Sequence, residues 1–149
     1  MLPSRRPGRT STLGRHDFTR AEIDAARDTL DAQLAAFRDR PAGAEKNALE
    51  PTLFTALTLQ LDRFFVHRTR RLAGTGTSAL NELELISECL LRDGIFRRNS
   101  VITYDPARTI VKLRDGDAIL LTESDVTHLA AMVFHELDEK SPAPDAEPH

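Results

Sequence analysis

The segment between Ser78 and Gly94 limits this chain more tightly than any other. Its apolar residues, Leu80, Leu83, Leu85, Ile86, Cys89, Leu90 and Leu91, recur at helical spacing but fill most of the helix circumference. A helix that is apolar nearly all round cannot lie on a surface; it belongs at the centre of a core or at an interface between subunits. The other elements must therefore be arranged to cover it. A chain of 149 residues suits one compact domain built for that purpose.

Two helical segments precede the central one. Thr19-Arg20-Ala21-Glu22 has the Thr-x-x-Glu form of a capping box. Ile23, Ala26, Leu30, Leu34 and Phe37 then follow at helical spacing to Arg38, and Pro41 with Gly43 stops the run. Pro51 is expected to open the second helix from its favoured first position. Leu53, Phe54, Leu57, Leu61, Phe64, Phe65 and Leu72 form its apolar face, and Gly74 with Gly76 ends it. Ser78 caps the third. A fourth helix is capped by Thr122-Glu123-Ser124-Asp125 and carries Val126, Leu129, Met132, Val133 and Leu137.

Between the third and fourth helices the period changes to that of strands. Val101–Tyr104 and Thr109–Leu113 read as strands joined by Asp105-Pro106-Ala107-Arg108, where proline at the second position suits a type I turn. Asp115-Gly116 supplies a tight hairpin turn into Ala118–Leu121. Pairing about that turn puts Val111, Leu113, Ala118 and Leu120 on one face, expected to pack against the helices. The expected fold is α+β: three helices, a three-stranded antiparallel meander, then a C-terminal helix. Residues 17–139 form its single domain.

Charge and composition narrow the function classes. The formal charge is −3, but residues 1–16 carry Arg5, Arg6, Arg9 and Arg15 with no acid, whereas residues 136–149 carry five acids against Lys140. Residues 1–16 read as a disordered basic arm and 140–149 as a disordered acidic tail. The arm lacks the apolar stretch of a secretory signal, and no run approaches the roughly 20 apolar residues of a membrane helix. The expected compartment is the cytoplasm. With one cysteine, neither a disulfide framework nor a multi-thiolate metal site is expected. Seven Phe, one Tyr and no Trp make a base-stacking platform unlikely, so nucleic-acid binding through the arm ranks last.

Searches for catalytic groups return little. His128 and His135 lie seven residues apart on the last helix without the further ligands that a metal site needs. Gly74-Thr75-Gly76-Thr77-Ser78 has neither the preceding strand nor the Lys-Ser/Thr ending of a phosphate loop. Cys89, mid-helix on an apolar face with no basic neighbour in the pattern, reads as an inert core thiol. No catalytic residue, metal or cofactor is expected. The one candidate ligand-binding set joins the end of the second helix to the start of the third: His67, Arg68, Arg71, Asn81 and Glu82. Arginines flanking an apolar stripe can clamp a carboxylate or phosphate, and Glu82 is placed to meet Arg68 or His67 across the intervening loop.

The strings Leu49-Glu50-Pro51, Leu61-Asp62-Arg63-Phe64-Phe65-Val66-His67-Arg68 and Leu80-Asn81-Glu82, with Gly116-Asp117 and Leu121-Thr122, give the chain a resemblance. Over residues 18–139 it resembles an uncharacterised family of small bacterial proteins common in actinobacteria. The Phe-Phe-Val-His-Arg string followed by Leu-Asn-Glu is the most distinctive part. That family's pattern has a Gly-Lys-Asp-Gly-Asn-Pro-like loop where this chain reads Gly74-Thr75-Gly76-Thr77-Ser78-Ala79. The resemblance implies no activity, substrate or cofactor. The apolar third helix therefore leads the reading: a non-enzymatic domain that works by association, as a homodimer or with an unidentified protein partner. A small-ligand or anion-binding protein, or an enzyme, with its site at His67–Glu82 is the alternative.

Overall fold

A computed structural model describes residues 18–65 and 76–140. The basic arm, the acidic tail, and His67, Arg68 and Arg71 lie outside the described residues. Within them the chain forms four helices: α1 (Arg20–Arg38), α2 (Ala44–Phe64), α3 (Ala79–Arg92) and α4 (Glu123–Lys140). Both α1 and α3 pack on α2 and α4, so the α2–α4 pair forms the middle of the bundle.

Local chemistry accounts for the helix boundaries. Thr19 Oγ1 accepts the Glu22 amide at 3.1 Å and Glu22 returns the bond to the Thr19 amide at 2.9 Å, completing the capping box. Thr122 and Asp125 make the same reciprocal pair at the start of α4, both at 3.1 Å. Ser78 Oγ accepts the Asn81 amide and caps α3. The second helix departs from expectation. It starts at Ala44, after Gly43 in an open conformation, so Pro51 lies inside it and not at its first position. The missing proline donor leaves that stretch without one helical bond, while Lys46 ties the helix start to the carbonyls of Arg38 and Arg40, each at 3.2 Å.

The expected meander is absent. Among the described residues the fold is all-α, with no strand and one isolated antiparallel bridge, Ile95 to Ala118. The reason lies in where the backbone donors go. Asn99 Oδ1 accepts the amides of Val101 and Ile102, Asp105 Oδ1 that of Ala107, and Asp117 Oδ2 that of Arg114. The amides of Ile110 and Val111 go to the Glu82 carboxylate. Side chains thus occupy the donors that a strand ladder needs. Lys112 at φ 60° also breaks the extended conformation between Val111 and Leu113.

The two turns survive without their strands. The Arg108 amide closes on the Asp105 carbonyl at 2.9 Å. At the second turn Asp117 donates to Arg114, with Gly116 at φ 94°, a conformation that glycine adopts without strain. Beyond it the chain pairs with the residues just after α3 and not with Leu113. Phe96 donates to Asp117, Gly116 to Phe96 and Ile119 to Gly94, each at 2.8 Å. That change of partner inverts the expected faces: Ile119 and Leu121 are buried, while Ala118 and Leu120 face solvent.

One core fills the bundle. Its aromatic residues meet edge-on, Phe18 with Phe65 at 5.1 Å, Phe65 with Phe134 at 5.7 Å and Phe37 with Phe54 at 5.0 Å. The third helix buries Leu80, Leu83, Leu85, Ile86 and Cys89 against the middle α2–α4 pair. Its apolar circumference is covered within the chain by α2, α4 and residues 95–122, except at Leu91, which is 73% exposed. No helix among the described residues is long and apolar enough to cross a membrane.

The asymmetry of α3 sets a measurable contrast. Leu83→Ala empties a fully buried position and should cost about 2–5 kcal/mol. Leu91→Ala should change stability by no more than about 0.5 kcal/mol. Urea unfolding of the two variants beside wild type measures both.

Candidate functional site

Of the five residues singled out in the sequence, Asn81 and Glu82 lie in the described part, and the structure places both inside the fold. Asn81 is 1% exposed and Glu82 3%. They are the third and fourth residues of α3, where the preceding turn brings Gly76 close enough for Asn81 Nδ2 to donate to its carbonyl at 2.6 Å. The Asn81 backbone amide completes the Ser78 cap. Asn81 thereby fixes the entry to the helix.

Glu82 projects from the same turn toward the segment after the Asp105–Arg108 turn. Its Oε1 accepts the Ile110 amide and its Oε2 the Val111 amide, both at 2.8 Å. Two successive amides on the two oxygens of one carboxylate form a charge-assisted pair of bonds. Burial pushes the Glu82 carboxyl above the ordinary glutamate range. The two amides, His128 and Lys112 pull in the opposite direction without cancelling it. The group that the sequence offered as a partner for His67 or Arg68 is, on its described side, an anchor for residues 110–111.

The surroundings support the same structural role. Tyr104 donates its hydroxyl to the Leu113 carbonyl, and Thr109 Oγ1 lies 3.4 Å from that hydroxyl. Phe96 packs on Tyr104 with ring centroids 4.8 Å apart. Glu136 of α4 accepts the Leu80 amide at 3.2 Å, so an acid from a neighbouring helix serves the first turn of α3. Its other oxygen accepts from Lys140 at 2.7 Å.

Cys89 has a fuller environment than its sequence neighbours suggest. Its Sγ accepts from the Arg97 amide at 3.4 Å and from Arg92 Nη2 at 3.5 Å. The arginine one turn on is thus a basic neighbour. The thiol remains 1% exposed, in keeping with a core group. No set of three His, Cys, Asp or Glu side chains among the described residues is placed to hold a metal ion. His135 is exposed and lies 3.1 Å from Glu139.

Two grooves open on the flanks of α1. One, of about 340 Å³, runs between α1 and α4 over Leu30, Leu34, Ala130 and Phe134. Arg27 lies at its rim, bonded to Asp138 and 4.9 Å above the Phe134 ring. The other, of about 230 Å³, lies beside Phe18, Phe64 and Phe65.

Glu82→Ala should lower stability by about 2–4 kcal/mol, from roughly 1–3 kcal/mol per amide left without its acceptor, lessened because Ile110 and Val111 are only partly buried. Glu82→Gln separates charge from geometry, since the amide keeps one acceptor and turns a donor toward the second N–H. The folded carboxyl titrates above its unfolded value, so its contribution to stability is complete below the unfolded value and is lost as pH rises through the folded one. As pH rises above the unfolded glutamate value of 4.5 and through the higher folded one, wild type should therefore lose stability relative to E82Q. Urea unfolding of both proteins across that range gives the difference.

No family model, no curated protein and no solved structure matches this chain.

Proposed function

We propose that this chain is a non-enzymatic, cytoplasmic association domain. One observation carries the reading. Of the large apolar side chains that the described fold leaves exposed, Leu91 lies on α3, and Val101 and Leu120 lie on the segment that follows it. Leu91, 73% exposed, lies on the strip itself. Val101, 55% exposed, follows Asn99, which bonds Glu88 of the strip at 3.4 Å. Leu120, 71% exposed, follows Ile119, whose amide is held by Gly94 just beyond the helix. An exposed leucine on a helix face that also exposes Glu88 and Arg92 is a surface that a protein partner can cover.

The carrying feature differs from the one in the sequence. There the whole apolar circumference of the third helix suggested association; most of it is spent on the chain's own core, and Leu91 remains exposed. The small-ligand or anion site at the α2–α3 junction is the second reading. Against an anion there stands the Glu82 carboxyl, buried and already accepting two backbone amides.

Native mass spectrometry of the chain purified from its own host tests the reading. An assembled species, of this chain alone or with a second protein, is the expected outcome. A chain that is monomeric there and stays monomeric over a wide concentration range by sedimentation equilibrium overturns it.

A further inference from the structure

Resting on the association reading, the charges on the free strip of α3 identify the partner. Glu88 and Arg92 are exposed and one helical turn apart, with Leu91 between them. Neither forms an ion pair among the described residues. Glu88 accepts from Asn99 Nδ2 at 3.4 Å, and Arg92 reaches Cys89 Sγ at 3.5 Å. An acid and a base four residues apart on one face become self-complementary when the strip is laid antiparallel on itself, because reversing the direction exchanges their positions. Neighbouring charges do not spoil the match. Asp93, beside Arg92, is paired with Arg97 at 2.8 Å, and Asp115 is paired with Arg98 at 3.0 Å.

We infer that a second copy of the chain covers this surface, related by a two-fold axis at the level of residue 90. Glu88 of each protomer then meets the partner's Arg92. The two Leu91 side chains meet beside the axis. Such an interface is isologous: one patch serves both protomers, and each charge pair occurs twice. The patch is small, so the dimer is weak and concentration-dependent, with the charges setting register and the apolar residues supplying the attraction.

Charge reversal tests this directly, with the full chain followed by sedimentation equilibrium over a wide concentration range. Wild type is expected to dimerise. Glu88→Arg sets like charges against each other twice in its own dimer, and so does Arg92→Glu. Each should weaken self-association by about tenfold or more. An equimolar mixture of the two variants should dimerise again. In that mixed pair the introduced arginine faces the introduced glutamate, and the native Arg92 of one chain faces the native Glu88 of the other. Restoration on mixing cannot come from a folding defect, and circular dichroism of each variant checks the fold independently.

Single variants that associate as wild type does, or a mixture that stays monomeric, overturn the inference. If wild type dimerises regardless of either substitution, this surface is wrong while the association reading stands. If wild type is monomeric alone but leaves its host bound to another protein, the second copy is wrong and the reading again stands. A bare monomer in both experiments removes both.

Discussion

The contact between the Glu82 carboxyl and the amides of Ile110 and Val111 fastens the long segment between α3 and α4 to the bundle. A segment of nearly thirty residues, 95–122, runs between α3 and α4 with almost no regular structure. Such a stretch has to satisfy its backbone donors without a helix or a sheet. Here a side chain from the centre of the core supplies two acceptors where a neighbouring strand would have supplied carbonyls. Removing a carboxylate from water is costly, and the raised titration of Glu82 records that cost. The return is that residues 109–113 are fastened to α3, which lets Ile110, Val111 and Leu113 lie against the core.

The same device recurs at the helix ends. Glu136 of α4 serves the Leu80 amide at the start of α3, and Glu50 of α2 serves the Glu123 amide at the start of α4, both at 3.2 Å. Unpaired amides at a helix start accept negative charge wherever it comes from. When the acid comes from another helix, the cap also fixes how the two helices sit. Asp138 extends the pattern, joining α4 to Arg20 and Arg27 of α1. Gln33 and Gln60 exchange hydrogen bonds at 2.9 and 2.7 Å between α1 and α2. The apolar core supplies the driving force for the bundle, and these polar contacts specify its arrangement.

Features with a local cause were legible in the sequence. The capping boxes at Thr19 and Thr122, the Ser78 cap, the end of α1 at Arg38 and the turns at Asp105–Arg108 and Arg114–Asp117 each depend on residues within a few positions of one another. So did the burial of the central helix, since an apolar circumference admits few other fates. The strands were misread because Val101–Tyr104 and Thr109–Leu113 have the composition of strands, whereas strand formation depends on a partner. Asn99, Asp105 and Asp117 took the donors locally, and Glu82 took two from 28 and 29 residues away. The sequence marked Asn81 and Glu82 as ligand-binding candidates, but it could not show that both would be buried and bonded within the fold.

Helix positions, their caps and the apolar content of α3 were thus set by short-range pattern, because propensity, capping and periodicity act over one or two turns. Which residues would be left uncovered was settled by packing. Whether Leu120 or Ile119 faces solvent depends on the change of pairing partner from Leu113 to Gly94 and Phe96, and a shift of one residue exchanges the two faces. Leu91 reads the same as Leu83 and Leu85 in the sequence. It alone of the three remains exposed, because burial depends on which neighbours the folded chain brings to each side of α3, and those neighbours come from distant parts of the sequence.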